Sequence, residues 1–495
     1  MQPVEYYQIG GFNAHLSSNS NETLASKLMD SGDGEFVLGI RPCGASYLLL
    51  PCERYRDMHL ERPLKRLWPW KASHFESLSP VQFPTKLDLA AKFGMLASNK
   101  RSTDGPPRDR SKANTAYTAG GQSLSPAGIA RSSFEHQRVF YRLCQCTLER
   151  PFDYALRTAP WIRDVRIFSF AFNTWASDTR SLDEREAEPK VLDVGWTEFN
   201  APNDSADLTA VSTSHYIVEE ERYLNNPGRQ KLSLPDITQN MPKATISTLL
   251  QDLFRPTHTG EHSAPKLLLV HDERMTRCIL RHFGVNTSQW KLGIKDLLYY
   301  PDPHGASKRD RDAYGDSKRD VRDSGRRPRD RSRSPRRQEA ADYRVRPRSP
   351  PAHHRPPPVY IVDVRQMYQT MMQVHPQNDT VLSNAVALNV KDTAPVRGEE
   401  DELIYQDVDP MSWLIGYMWE DMANSIAIDE QRALRLRFST EAPIEDVGVA
   451  TQEMGDDGEV DPNDLLQPAP RSGARTNAPR PAEMFDSQSE DDEYY

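Results

Sequence analysis

The sequence predicts an α/β protein: a mixed sheet flanked by helices over residues 187–440, with a long disordered basic insertion and disordered tails. Three observations predict it. Strand-like segments come first, at KVLDVGW (190–196) and SHYIVEEERYL (214–224), and strand and helix patterns then alternate. Two continuous apolar runs, KLLLV (266–270) and VYIVDV (359–364), suit strands covered on both faces. Each leads into residues whose apolar positions recur at helical spacing.

Taken in order, residues 1–35 are polar and rich in Ser and Asn, which predicts a loose N-terminus. EFVLGIRPCGASYLLLPCERY (35–55) places two apolar runs around a Pro-Cys-Gly turn and reads as a hairpin. The rest of 36–185 carries no assignable function, and a linker is expected near 100–132. SSFEHQRVFYRLCQCTLERPFDYALRT (132–158) reads as a helix capped by Ser132 or Ser133, with Glu135 near the capping-box position. VRIFSFAFNTW (165–175) reads as a strand. Within 187–440, ATISTLLQDLF (244–254) is a short helix. HDERMTRCILRHFGV (271–285) is a second, with Met275, Cys278, Ile279 and Phe283 on one face. A third follows VYIVDV, with Val364, Met367, Tyr368, Met371 and Met372 on one face. LSNAVALNV (382–390) is short, and MSWLIGYMWEDMANSIAIDEQRAL (411–434) reads as one long helix.

Composition bounds the rest. Of 495 residues, 37% are hydrophobic and 27% charged, with 38 prolines, so much of the chain cannot bury enough apolar surface to offset its ordering entropy. The net charge of −9 is segmental. Residues 301–358 hold 17 Lys and Arg against 9 Asp and Glu, whereas 441–495 hold 15 acids against 3 arginines. Five cysteines, an odd number, argue against a disulfide framework and for a reducing compartment. Cys43, Cys52, Cys144 and Cys146 lack the spacing of a usual zinc knuckle, and buried reduced thiols are the simpler reading. No apolar run approaches a membrane span and MQPVEYYQIG has no signal pattern, so a soluble intracellular protein is expected, without a membrane partner.

The order of VLDVGWTEF, HYIVEEERYLNN, LLLVHDERMTRCILRHFGV, VYIVDVRQMYQ and WLIGYMWEDMA resembles the fungal family named for "good for full DBP-five activity protein two". The resemblance covers residues 187–435 apart from the insertion. It implies a ribonuclease H-like, DEDD-type exonuclease fold in which four carboxylates hold two divalent ions.

The acidic pattern is degenerate. Asp193 matches the first acid of the Asp-x-Glu pair expected on the first strand, but Gly195 replaces the second, and Glu198 has the opposite strand parity. Aligning on His271 puts Thr276 where the third acid belongs, with Asp272 one turn earlier. The fourth acid corresponds to Asp409, spaced from Tyr405, although Tyr417 and Asp421 share that spacing. Asp363 and His271 are assigned structural or helix-capping roles. Asp193 alone would hold Mg²⁺ or Mn²⁺ weakly, so no cofactor is expected. The leading expectation is an inactive nuclease-like domain. The enzyme alternative is a 3′–5′ exonuclease using Asp193, Asp272 and Asp409 with Mg²⁺ or Mn²⁺.

Binding features lie mostly outside this core. RDRSRSPRR (329–337) offers Arg329, Arg331, Arg333, Arg336 and Arg337 to phosphates and bases, RNA more readily than DNA, and resembles a nuclear import signal. Ser334 and Ser349 precede prolines, and phosphates there would offset the basic charge. RLWPW (66–70), with Lys65, Arg66 and Lys71, suits either base stacking or core packing, with packing the simpler reading. Nucleic acid and mRNA-export or RNA-processing proteins are the expected partners, in the nucleus, the cytoplasm or both. A scaffold binding only proteins through its tails is the third alternative.

Overall fold

The computed structural model describes residues 4–10, 20–32, 34–58, 69–97, 111–114, 117, 124–157, 159–203, 207–224, 226, 238–255, 264–299, 359–373, 380–390 and 412–441. The insertion at 301–358, Asp409, Tyr405, the five insertion arginines, Trp68 and nearly all of the acidic tail lie outside them. The chain divides into two units, Met1–Thr440 and Glu441–Tyr495, the second beginning where the acidic tail does.

The N-terminal region holds a five-stranded sheet. It comprises β1 (Glu5–Gly10), helix α1 (Asn21–Asp30), β2 (Glu35–Ile40), β3 (Ser46–Pro51), helix α2 (Cys52–Asp57), β4 (Trp70–Lys71), β5 (Ser77–Gln82) and helix α3 (Lys86–Leu96). The strand order is β4-β1-β3-β2-β5, antiparallel throughout. The β2–β3 hairpin appears as expected, and its turn uses Gly44 at a φ of 91° that a side chain would strain. The loose N-terminus does not hold: β1 pairs with β3, and Ser20 caps α1 by accepting from the N–H groups of Glu22 and Thr23. The Ser- and Asn-rich composition concealed a cap of that kind.

Next comes α4 (Pro126–Cys144), whose start lies inside the expected linker. Ser125, not Ser132 or Ser133, caps it, its Oγ accepting from Gly128 N at 3.0 Å, with Pro126 at the first helical position. The helix ends at Cys144, short of the expected 158. It is buried along most of its length, including five long polar residues. Arg131 donates to Gly44 O, Glu135 accepts from Ser79 and Arg138, His136 meets Glu76 O, Gln137 accepts from Trp419, and Arg138 donates to Pro80 O. These bonds satisfy groups that would otherwise be costly to bury.

The second sheet contains β6 (Arg166–Thr174), helix α5 (Leu182–Ala187), β7 (Val191–Asn200), β8 (Thr209–Val218), β9 (Thr238–Met241), α6 (Lys243–Phe254), β10 (Lys266–Val270) and α7 (Glu273–His282). It continues through β11 (Lys291–Leu292), α8 (Lys295–Leu298), β12 (Val359–Asp363), α9 (Val364–Met372), α10 (Val381–Leu388), α11 (Ser412–Ala423) and α12 (Ile428–Glu441). Its order is β11-β12-β10-β6-β7-β8-β9. β6, β7 and β8 form an antiparallel meander, while β10 and β12 add parallel to β6 on its other side. This is the predicted α/β class with a mixed sheet and flanking helices. The expected start near 187 is corrected, because β6 is a central strand of the sheet.

Ile167, Ala171, Leu269 and Val362 face α9, α11 and α4, whereas Phe168, Phe170, Val194 and Leu268 face α6 and α7. β10 and β12 are covered on both faces, as their unbroken apolar runs require. The single C-terminal helix is corrected to two. Between α11 and α12 the backbone is drawn to buried groups of α4: Ile428 N donates to Glu135, and Arg138 donates to Ser425 O. No described helix is long and apolar enough to cross a membrane.

Candidate functional site

In a sheet of this topology the strand order reverses beside β6, and ligands collect at the carboxyl ends of the parallel strands near such a point. The ends of β6, β10 and β12 therefore define the place to look.

The expected first strand is corrected. KVLDVGW is β7, the second strand of the meander, and the first is β6. The sequence of β6, RIFSFAFNT, contains no Asp or Glu. On its α11-facing side it offers Ser169, Ala171 and Asn173. The register sets Asn173 opposite Asp193. The Asn173 amide donates to both carboxylate oxygens of Asp193, at 3.0 and 3.3 Å, and His215 Nε2 on β8 lies 3.6 Å from Oδ1. His215 Nδ1 in turn meets Thr238 Oγ1 on β9 at 2.9 Å. Four neighbouring strands thus each supply one polar residue to a chain of contacts that steps diagonally from Asp193 to His215. Gly195 sits between Ala171 and His215 in the register.

Asp272 and Asp363 are engaged as helix caps. Asp272 Oδ1 accepts from Met275 N at 2.8 Å at the start of α7, and its Oδ2 is 3.6 Å from Arg365. Asp363 caps α9 through Gln366 N at 2.8 Å and also accepts from Glu273 N of α7 at 3.1 Å. The positive ends of two helices therefore converge on these carboxylates, leaving less of their charge for a cation. Burial pushes the Asp363 carboxyl up to about 6, opposed by its two N–H bonds, while Asp272 adds to the rise.

The capping role expected of Asp363 is met. His271 does not cap α7, which Asp272 does; its Nε2 accepts from Asn384 Nδ2 of α10 at 3.0 Å, a contact that ties the end of β10 to α10. Thr276 is fully buried with its hydroxyl unpartnered. Glu198 is held by Arg166 at 2.8 Å. Tyr417 packs edge-on against Phe199, and Asp421 pairs with Arg435 at 2.7 Å.

Spacing separates the acids further. Asp363 lies on β12 level with Val270 and Phe170, whereas Asp193 lies on β7 level with Asn173. Three inter-strand steps at about 4.8 Å put their Cα atoms roughly 14 Å apart or more. Paired catalytic metals sit only about 4 Å from each other, far closer than Asp193 and Asp363 lie. Among the described residues no three His, Cys, Asp or Glu side chains group as a metal site. Burial holds the Cys52 thiol up at about 11 and raises Cys144 as well.

Asn173 and His215 were not anticipated. Both are ordinary residues in sequence, and only strand pairing brings them to Asp193. The signal available was the acid itself, which demanded a neighbour once placed in a buried strand. Comparison with family models, curated proteins and solved structures finds no match to this chain.

Proposed function

We propose that the seven-stranded sheet is a ribonuclease H-like domain that binds nucleic acid, RNA in preference to DNA, without cleaving it. The protein then acts in mRNA handling or export, in the nucleus, the cytoplasm or both. The strings that carry the resemblance support the fold, since they supply β7, β8, β10 and β12 of one sheet. The observation that carries the non-catalytic reading is the engagement of the acids. β6 has none, Asp193 is bonded to Asn173, and Asp272 and Asp363 cap helices. Binding is assigned to the arginine-rich insertion, with Arg329, Arg331, Arg333, Arg336 and Arg337 contacting phosphates.

The test uses the purified full chain with a labelled single-stranded RNA. Binding is expected with a steep dependence on salt, and replacing the five arginines by alanine should flatten that slope. No degradation is expected with Mg²⁺ or Mn²⁺. Degradation abolished by Asp193→Ala would favour the exonuclease using Asp193, Asp272 and Asp409. Absence of binding at low salt would leave the protein-binding scaffold.

A further inference from the structure

A basic aromatic cluster on the five-stranded sheet takes no part in the arrangement above. Trp70, on edge strand β4, is half-buried and stacks on Tyr47 at 5.9 Å, while its Nε1 donates to Gln8 at 3.1 Å. The guanidinium of Arg41, from the β2–β3 turn, lies over the Trp70 ring, 5.1 Å from its centroid. His74 meets the same indole edge-on at 5.4 Å. His74 Nδ1 accepts from the backbone N–H of Lys71 at 3.0 Å, which leaves Nε2 as the donor.

Lys71 and His74 are exposed, and no carboxylate among the described residues pairs with Arg41, Lys71 or His74. Glu5 is the register partner of Lys71, and strand alternation turns that pair to the face opposite Trp70 and Tyr6. Burial lowers the His74 pKa, and Arg41 and Lys71 lower it further with no acid opposing them. The local field is therefore positive.

We propose that this cluster is a contact site for single-stranded nucleic acid. Arg41 holds backbone phosphate, His74 Nε2–H donates to it, and an unpaired base stacks against the Arg41–Trp70 pair, while Lys71, turned to the other face of β4, adds only to the field. Cations beside an aromatic platform favour this ligand because every base presents a π-face and every nucleotide a charge. A duplex keeps its bases stacked on one another and would bind less well. A purely acidic peptide would meet the cations but leave the platform unused. The inference rests on the nucleic-acid reading, yet places contact on a different part of the fold from the insertion.

The experiment measures binding of a fluorescein-labelled oligouridine by the full chain carrying alanine at Arg329, Arg331, Arg333, Arg336 and Arg337. Residual binding is expected, with quenching of tryptophan fluorescence, and Arg41→Ala or His74→Ala should each weaken it by about tenfold. His74 is exposed, so its variant should melt as the parent does and separate binding from folding. Unchanged affinity in both variants overturns the inference. So does loss of all binding on removing the five arginines while the unaltered chain still binds, a result that leaves the proposed function standing. Equal competition by an acidic peptide of matched charge also overturns it. Failure of the unaltered chain to bind at low salt removes both.

Discussion

At Asp193, both carboxylate oxygens accept from the Asn173 amide and His215 stands 3.6 Å away. Replacing Asp193 by alanine should destabilise the protein by about 1–3 kcal/mol, because a part-buried amide loses its acceptor. Urea denaturation checks this. Asp363 gives a pH signature. Its carboxyl rises from 3.8 to about 6 on folding, so between those values the native state retains a proton that the unfolded chain has released. This component of stability is full below about pH 4, falls as pH rises towards 6, and is flat above. Asp363→Asn should remove that component, and melting temperatures from pH 4 to 8 should show a difference curve that levels off near 6. Asp193 and Asp363 were legible as residues needing partners, since an acid in a buried strand and an acid before a helix each imply one. Asn173 and His215 were not legible. Each lies about twenty residues from Asp193 on a different strand, and only the register joins them.

Among the elements, α11 shows how closely the sheet is covered. A Cβ on Gly416 would collide with the Phe199 ring, which is 3% exposed and belongs to the core. Alanine normally favours a helix over glycine by about 1 kcal/mol. Here overpacking of roughly 1–3 kcal/mol should outweigh that gain, so Gly416→Ala is expected to lower the denaturation midpoint. Elements with strong periodicity were legible: β10, β12, α6, α7 and α9 fall close to their expected positions. Two were misjudged for one reason. The true start of α4 lies in a Ser-, Pro- and Gly-rich stretch, and the break before α12 looks helical in sequence. Both depend on contacts distant in the chain. Gly128 packs against the backbone of Pro42 and Gly44, and Glu135 takes the N–H of Ile428. Tertiary contacts of this kind override local propensity.

Over the whole molecule, α4 shares one core with residues of both sheets, and charge reinforces that packing. Asp429 of α12 accepts from Arg131 of α4 at 2.5 Å and from Lys92 of α3 at 3.2 Å. Burial opposes ionisation of Asp429, but Arg131, Lys92 and Arg432 hold it well below the usual carboxylate range. Asp429→Asn should cost roughly 3–5 kcal/mol, since it leaves buried cations uncompensated. Chemical denaturation of the full chain checks this. A fragment of 187–440 lacks β6 and α4 and is expected to stay unfolded by circular dichroism, whereas one reaching back to residue 4 should fold. The segment boundary near 187 was not legible because β6 is separated by the helical and loop residues 175–190 from the pattern it completes. The account turns on carboxylates already engaged elsewhere, and cleavage tests it most directly. Full-length protein incubated with Mn²⁺ and a 5′-labelled single-stranded RNA should leave the strand intact. A ladder of 3′-shortened products that disappears with Asp193→Ala would contradict it.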